Sequence, residues 1–150
     1  MDEIESRYKV KSDYQPHDGN IAGKPAAAEN DPAVVVSVEP GICGFSCTVT
    51  AQRSDKRMVS VVFSGCDCKQ VQRLAALLTR MSLKEIFMPV TRNPAYVAAE
   101  KAGCHASCVI PSAVLKAVEV ALGMALPKAA NIHFSSKDSR EGTARYGPEL

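Results

Sequence analysis

Five cysteines carry the chemistry that this chain can do: Cys43 and Cys47 in one C-x3-C turn, Cys104 and Cys108 in a second, and Cys68 between them. Thiolates bind soft and borderline metals or do redox chemistry, and they need a site to do either. The segment Ala102–Pro111 adds the imidazole of His105 and the hydroxyl of Ser107 to its two thiols, in a turn too short to have a core of its own. It reads as half of a site. Cys43 and Cys47 would supply the other half, with Cys68 to complete it, so that three separated segments converge. Four thiolates from separate loops can hold an iron-sulfur cluster or a tetrahedral zinc ion. Zinc knuckles usually show C-x2-C and the common bacterial ferredoxin run is absent, so neither standard motif is met. Gly41 and Gly44 around Cys43 let the backbone turn sharply and aim N–H groups at sulfur, with Ile42 and Phe45 as a dry cover, which leans the reading toward iron-sulfur.

Each of these residues has a plainer reading. Free cysteine is among the most buried residue types, so Cys43 and Cys47 can also be two small residues packed in a Gly-rich turn. Cys66 lies two positions before Cys68, a spacing that points the side chains differently, and is expected to be peripheral. His105 can ligate, donate to a ligand or cap the preceding helix, and ligation is the lesser expectation. His17 and His133 read as solvent-facing. A cytosolic thiol-disulfide oxidoreductase closing a Cys104 to Cys108 bond is an alternative, although the usual redox motif is C-x-x-C. A structural zinc module for protein interaction is another. No Walker loop or dinucleotide fingerprint occurs, and nothing positions a cysteine nucleophile beside a histidine, so no enzyme activity is assigned.

The elements that must position these thiols are legible from periodicity. Val34, Val36 and Val38 alternate with Val35 and Ser37 up to Pro40-Gly41, a strand and a turn. Residues 47–51 and 58–63 alternate on either side of a polar Arg53-Ser54-Asp55-Lys56, which predicts a hairpin. Its inner face would set Cys47, Val49 and Ala51 against Val59, Val61 and Phe63. Val71, Leu74, Leu77, Leu78 and Met81 form an amphipathic stripe that places Cys68 at a helix start, where the macrodipole favours a thiolate. Ser82 and Glu85 predict a short capped helix. Asn93-Pro94 begins another that stops at Gly103. Pro111 opens a last, largely buried helix over Ser112 to Leu122, and Ile132 and Phe134 read as inward residues of a final short strand. The fold expected is α+β: a small mixed or antiparallel sheet of about four strands, in the order βββαααβ, packed against helices. Residues 1–32 read as a flexible leader, 33–134 as a single domain and 135–150 as a polar tail.

Composition bounds the function. With 46% hydrophobic and 23% charged residues, 150 residues suit one soluble domain with a real core. A net charge of +2 with dispersed Lys and Arg, 5% aromatics and no Trp argue against nucleic acid as a partner. The acidic start carries no apolar run, and the stretch from Val109 to Leu126 is interrupted by Pro111, Lys116 and Glu119, so neither an export signal nor a membrane role is indicated. A cytoplasmic protein with free thiols follows as the expectation. A protein redox or cluster-transfer partner is expected with it.

The same residues resemble a known family of small cysteine-containing domains of unassigned function from anaerobic bacteria and archaea. The matching text is Glu39-Pro40-Gly41-Ile42-Cys43-Gly44-Phe45-Ser46-Cys47, Cys68-Lys69-Gln70-Val71 with Leu74-Ala75, Asn93-Pro94-Ala95-Tyr96 with Ala102-Gly103-Cys104-His105, and Cys108 with Val114-Leu115-Lys116-Ala117. It runs from about Val34 to Phe134. The family pattern lands on Cys43, Cys47, Cys68, Cys104 and Cys108, with Cys66 an addition of this chain and Val109 in place of a proline. The resemblance implies a cysteine site and an anaerobic cytosol, and carries no known activity.

Overall fold

The structure, a computed structural model, describes residues 31–135. The expected leader and tail, apart from their inner ends, and with them His17, lie outside the described residues. Three strands come first: β1 (Val34–Val38), β2 (Cys47–Asp55) and β3 (Met58–Ser64). They pair antiparallel in sequence order, with Val36 opposite Val49 and Val49 opposite Phe63. Because side chains alternate across a strand, this register puts Cys47, Val49, Ala51, Val59 and Val61 on one buried face, as the hairpin reading requires. A register shift between Arg53 and Asp55 lets the β2–β3 turn close tightly.

Helix α1 (Lys69–Leu77) follows, then strand β4 (Arg80–Ser82), helix α2 (Leu83–Ile86), a 3-10 turn (Val90–Arg92), helix α3 (Pro94–Lys101) and helix α4 (Ile110–Ala121). The fold is α+β, a four-stranded antiparallel sheet with the helices packed against it. The fourth strand is not the expected one. The stripe from Val71 to Met81 does not stay helical: the Thr79 carbonyl accepts from the Val61 amide at 2.8 Å, and Met81 pairs with Val59. Strand pairing thus draws the chain out of the helix at Leu78, leaving Leu77 exposed while Met81 is fully buried. Since residues 80–82 take the free edge of β3, residues 131–134 form no strand, and Ile132, His133 and Phe134 are exposed.

Caps set the helix ends. The Ser82 amide donates to the Glu85 carboxylate, starting α2. Asn93, only 2% exposed, accepts from the Ala95 amide at 3.0 Å and donates from Nδ2 to the Glu85 carbonyl at 2.9 Å, so one side chain both caps α3 and ties it to α2. At the other end of α3 the Gly103 amide donates to Glu100 and the Cys104 amide to Ala99, the paired bonds of a Schellman stop. That stop requires the left-handed backbone that Gly103 supplies at φ +76°. Helix α4 lies mainly under β1 and β2, burying Ile110, Val114, Ala117 and Val118 with Leu74 of α1 and Met81 of β4 in one core. Among the described residues no buried side-chain N or O atom lacks a partner, and no helix is long and apolar enough to cross a membrane.

Candidate functional site

Three chain segments meet at one end of the sheet. The first is the β1–β2 connection, closed by a bond from the Gly44 amide to the Gly41 carbonyl at 2.9 Å, which carries Cys43 between the two glycines. The second is the start of α1, where Cys68 is the N-cap residue and its thiol donates to Gln70 Oε1 at 3.1 Å. The third is the turn from α3 to α4, which begins with Cys104 immediately after the helix stop. The Cys108 amide closes this turn on the His105 carbonyl at 3.0 Å, and His105 Nδ1 lies 3.1 Å from the Ser107 hydroxyl.

Together these segments line a hollow of about 180 Å³, walled by Pro40, Phe45, Val71 and Ile110 and bordered by Cys43, Cys68, Cys104, Cys108, His105 and Gln70. Four of the five cysteines singled out from the sequence thus border the same space. Cys104 is partly buried. Burial pushes its thiol up to about 11, and the neighbouring sulfurs of Cys108 and Cys68 and a hydrogen bond with Cys108 act in the same direction, against the pull of Arg73. Arg73 also donates from Nε to the Ala102 carbonyl at 3.1 Å, which fastens α1 to the end of α3 and holds the Cys68 and Cys104 segments together.

Cys47 does not join them. It is bonded to Cys66 in a disulfide, which corrects both the assignment of Cys47 as a ligand and the expectation of free thiols throughout. The cause is register. Thr48 faces Ser64, so the chain leaving β3 places Cys66 beside Cys47, with the Cα atoms 4.5 Å apart. Cys66 is therefore a structural partner and not a peripheral residue. Cys43, Cys68, Cys104 and Cys108 remain free. Phe45 lines the hollow as expected, whereas Ile42 is fully exposed and covers nothing. Sequence reasoning assigned no role to Gln70, although it lies in the text that matches the resembled family, or to Arg73, whose only signal was its place on the first turns of an amphipathic helix.

Among the described residues no three His, Cys, Asp or Glu side chains are arranged to hold a single metal ion. The sulfurs border an open space without closing on a common point. Donor chemistry suits a thiolate-bound group: soft ligands, apolar walls and a helix start beside Cys68.

Residues 34–134 match the model of a family of unknown function, DUF6951. This chain belongs to that family. The matched span agrees with the limits over which the sequence resembles a family of unassigned function, and in this DUF6951 domain it takes in all six cysteines. Comparison with curated proteins and with solved structures finds no match.

Proposed function

We propose that this DUF6951 domain is a small metal-binding protein whose hollow seats an iron-sulfur cluster on Cys43, Cys68, Cys104 and Cys108. The observation that carries the reading is that four free thiols, from three segments far apart in the chain, border one apolar-walled space. A lone zinc ion would need its sulfurs drawn to about 2.3 Å of one point. Sulfurs spread around a hollow suit a polynuclear group held at its corners. Such a group, when bound, supplies one-electron transfer or is itself passed on to a partner protein. The residues of this chain do the rest: Pro40, Phe45, Val71 and Ile110 limit water, and Arg73 places a cation beside Cys104 that offsets thiolate charge. A cytoplasmic setting, which keeps the four ligand sulfurs reduced, and a redox or cluster-transfer partner belong to the same proposal, in which the Cys47–Cys66 bond is retained with Cys47 only 4% exposed.

Anaerobic expression followed by measurement of iron, acid-labile sulfide and zinc per chain tests it. Iron and sulfide in matching amounts, lost together in a Cys68→Ala or Cys104→Ala variant, is the expected result. A folded protein that takes up neither after anaerobic reconstitution would falsify the proposal. Stoichiometric zinc with unfolding by chelator would replace it with a structural zinc module.

One observation favours a second reading. Cys104 and Cys108 stand on one short turn and border the same hollow, so a thiol oxidoreductase that closes this pair is compatible with the geometry. Mass spectrometry after mild oxidation would then find a Cys104–Cys108 bond that glutathione reverses.

A further inference from the structure

Among the described residues the sheet runs β1-β2-β3-β4, with β1 and β4 at its edges. The two edges differ. Strand β4 has three residues, one of them Arg80, and is too short to template another strand. Strand β1 is Val-Val-Val-Ser-Val, carries no charge, and pairs with β2 in continuous register without a bulge. Among the described residues no strand lies beside its outward row of backbone N–H and C=O groups, and none of the usual protections against pairing lies within it. Val35 on the outer face is 62% exposed, while Val34 and Val36 on the inner face are only half-buried, so the core stops short at this edge.

We propose that β1 pairs edge to edge with β1 of a second copy of this chain, antiparallel about a two-fold axis through Val36. The sequence around the strand is symmetric in the way such pairing needs. Pro32 and Pro40, which lack an N–H, each lie four residues from Val36 and bracket the strand. In the paired dimer each proline faces the other just outside the ladder, so no ladder donor is lost. Val34 meets Val38 of the second copy and Val35 meets Ser37, and no like charges are set opposite one another within the strand. The flanking acids are already engaged, Asp31 with Arg53 at 3.4 Å and Glu39 with the Ser46 hydroxyl at 3.2 Å.

The Asp31 carbonyl accepts from Gln52 Nε2 at 2.7 Å, so the stretch from Asp31 to Ala33 runs on the β2 side and leaves the outer row of β1 open to a second copy. Pairing joins two sheets into one of eight strands and brings the two α4 layers side by side, burying Val34 and Val36 more fully. This inference does not depend on what the hollow binds.

Sedimentation equilibrium of the full chain over a range of concentrations, with the disulfide intact, tests it. The mass should approach twice 16.0 kDa at high concentration and fall toward the monomer on dilution. Val35→Lys on the outer face should abolish the dimer with an unchanged circular dichroism spectrum. Proline placed singly at Val35 and Val36 gives a second check, because successive N–H groups point to opposite edges. One variant should lose the dimer and keep its melting temperature, the other should lose both. A wild-type monomer at every concentration overturns the proposal, and so does a dimer that survives Val35→Lys and both prolines. β1 amides protected from hydrogen exchange equally at all concentrations would mean that the edge is covered from within the same chain, which also overturns it.

Discussion

Cys104 is the residue at which burial and chemistry oppose each other most directly. Its proton is held more tightly in the folded chain, at about 11, than at the ordinary thiol value of 9.0. A raised thiol value favours the folded state while the proton is on, so its contribution is fully present below pH 9 and is lost as the pH climbs through 11. The expected outcome is a urea midpoint that falls between about pH 8 and about pH 10.5, less steeply in Cys104→Ser than in the wild type. Thiolate is the reactive form, so Cys104 should alkylate roughly tenfold more slowly in the folded chain than in urea, after allowing for the greater nucleophilicity of a more basic thiolate. Exposed Cys43 should label first in the native protein, as peptide mapping would show. On the proposed iron-sulfur reading, uptake of the group would displace the Cys104 proton, so it should strengthen with rising pH and weaken in acid.

At the level of elements, a few side chains decide where the thiols sit. Asn93→Ala removes both the α3 cap and the link to Glu85 and should cost about 1–3 kcal/mol in denaturant melts. Gly103→Ala meets no steric obstacle beyond ordinary contact with Arg73, yet forces a left-handed alanine; a loss of about 1 kcal/mol with faster labelling of Cys104 is expected. Opening the Cys47–Cys66 bond, which spans 19 residues, should lower stability by about 3 kcal/mol on the chain-entropy account, read from melts with and without reductant. Much of this was legible beforehand. Alternation of Val49, Ala51, Val59 and Val61 fixed the hairpin face, and Ser82, Asn93 and Gly103 marked helix ends because each supplies a local bond or backbone shape. What was not legible depended on partners distant in sequence. Nothing local in Thr79-Arg80-Met81 says that β3 will claim it, and the Cys47–Cys66 pair follows from a register that only the folded hairpin reveals. The convergence of Cys43 with Cys68, Cys104 and Cys108 was inferred from residue type and from the two C-x3-C spacings, and the elements that achieve it, above all Arg73 bonding the end of α3, were not.

For the molecule as a whole, one shared core joins the sheet to α1, α3 and α4. Leu74 is fully buried at its centre, and Leu74→Ala should cost about 2–5 kcal/mol and loosen the hollow with it, measured as a lower melting temperature together with faster alkylation of all four free cysteines. The disulfide has a wider consequence. It joins the segment after Cys43 to the segment before Cys68, so two of the thiol-bearing strips are one covalent unit, whereas the strip with Cys104 and Cys108 is held to them by packing and the Arg73–Ala102 hydrogen bond. The hollow is thus built like a vice with one jaw locked by a covalent bond and the other held only by noncovalent contacts.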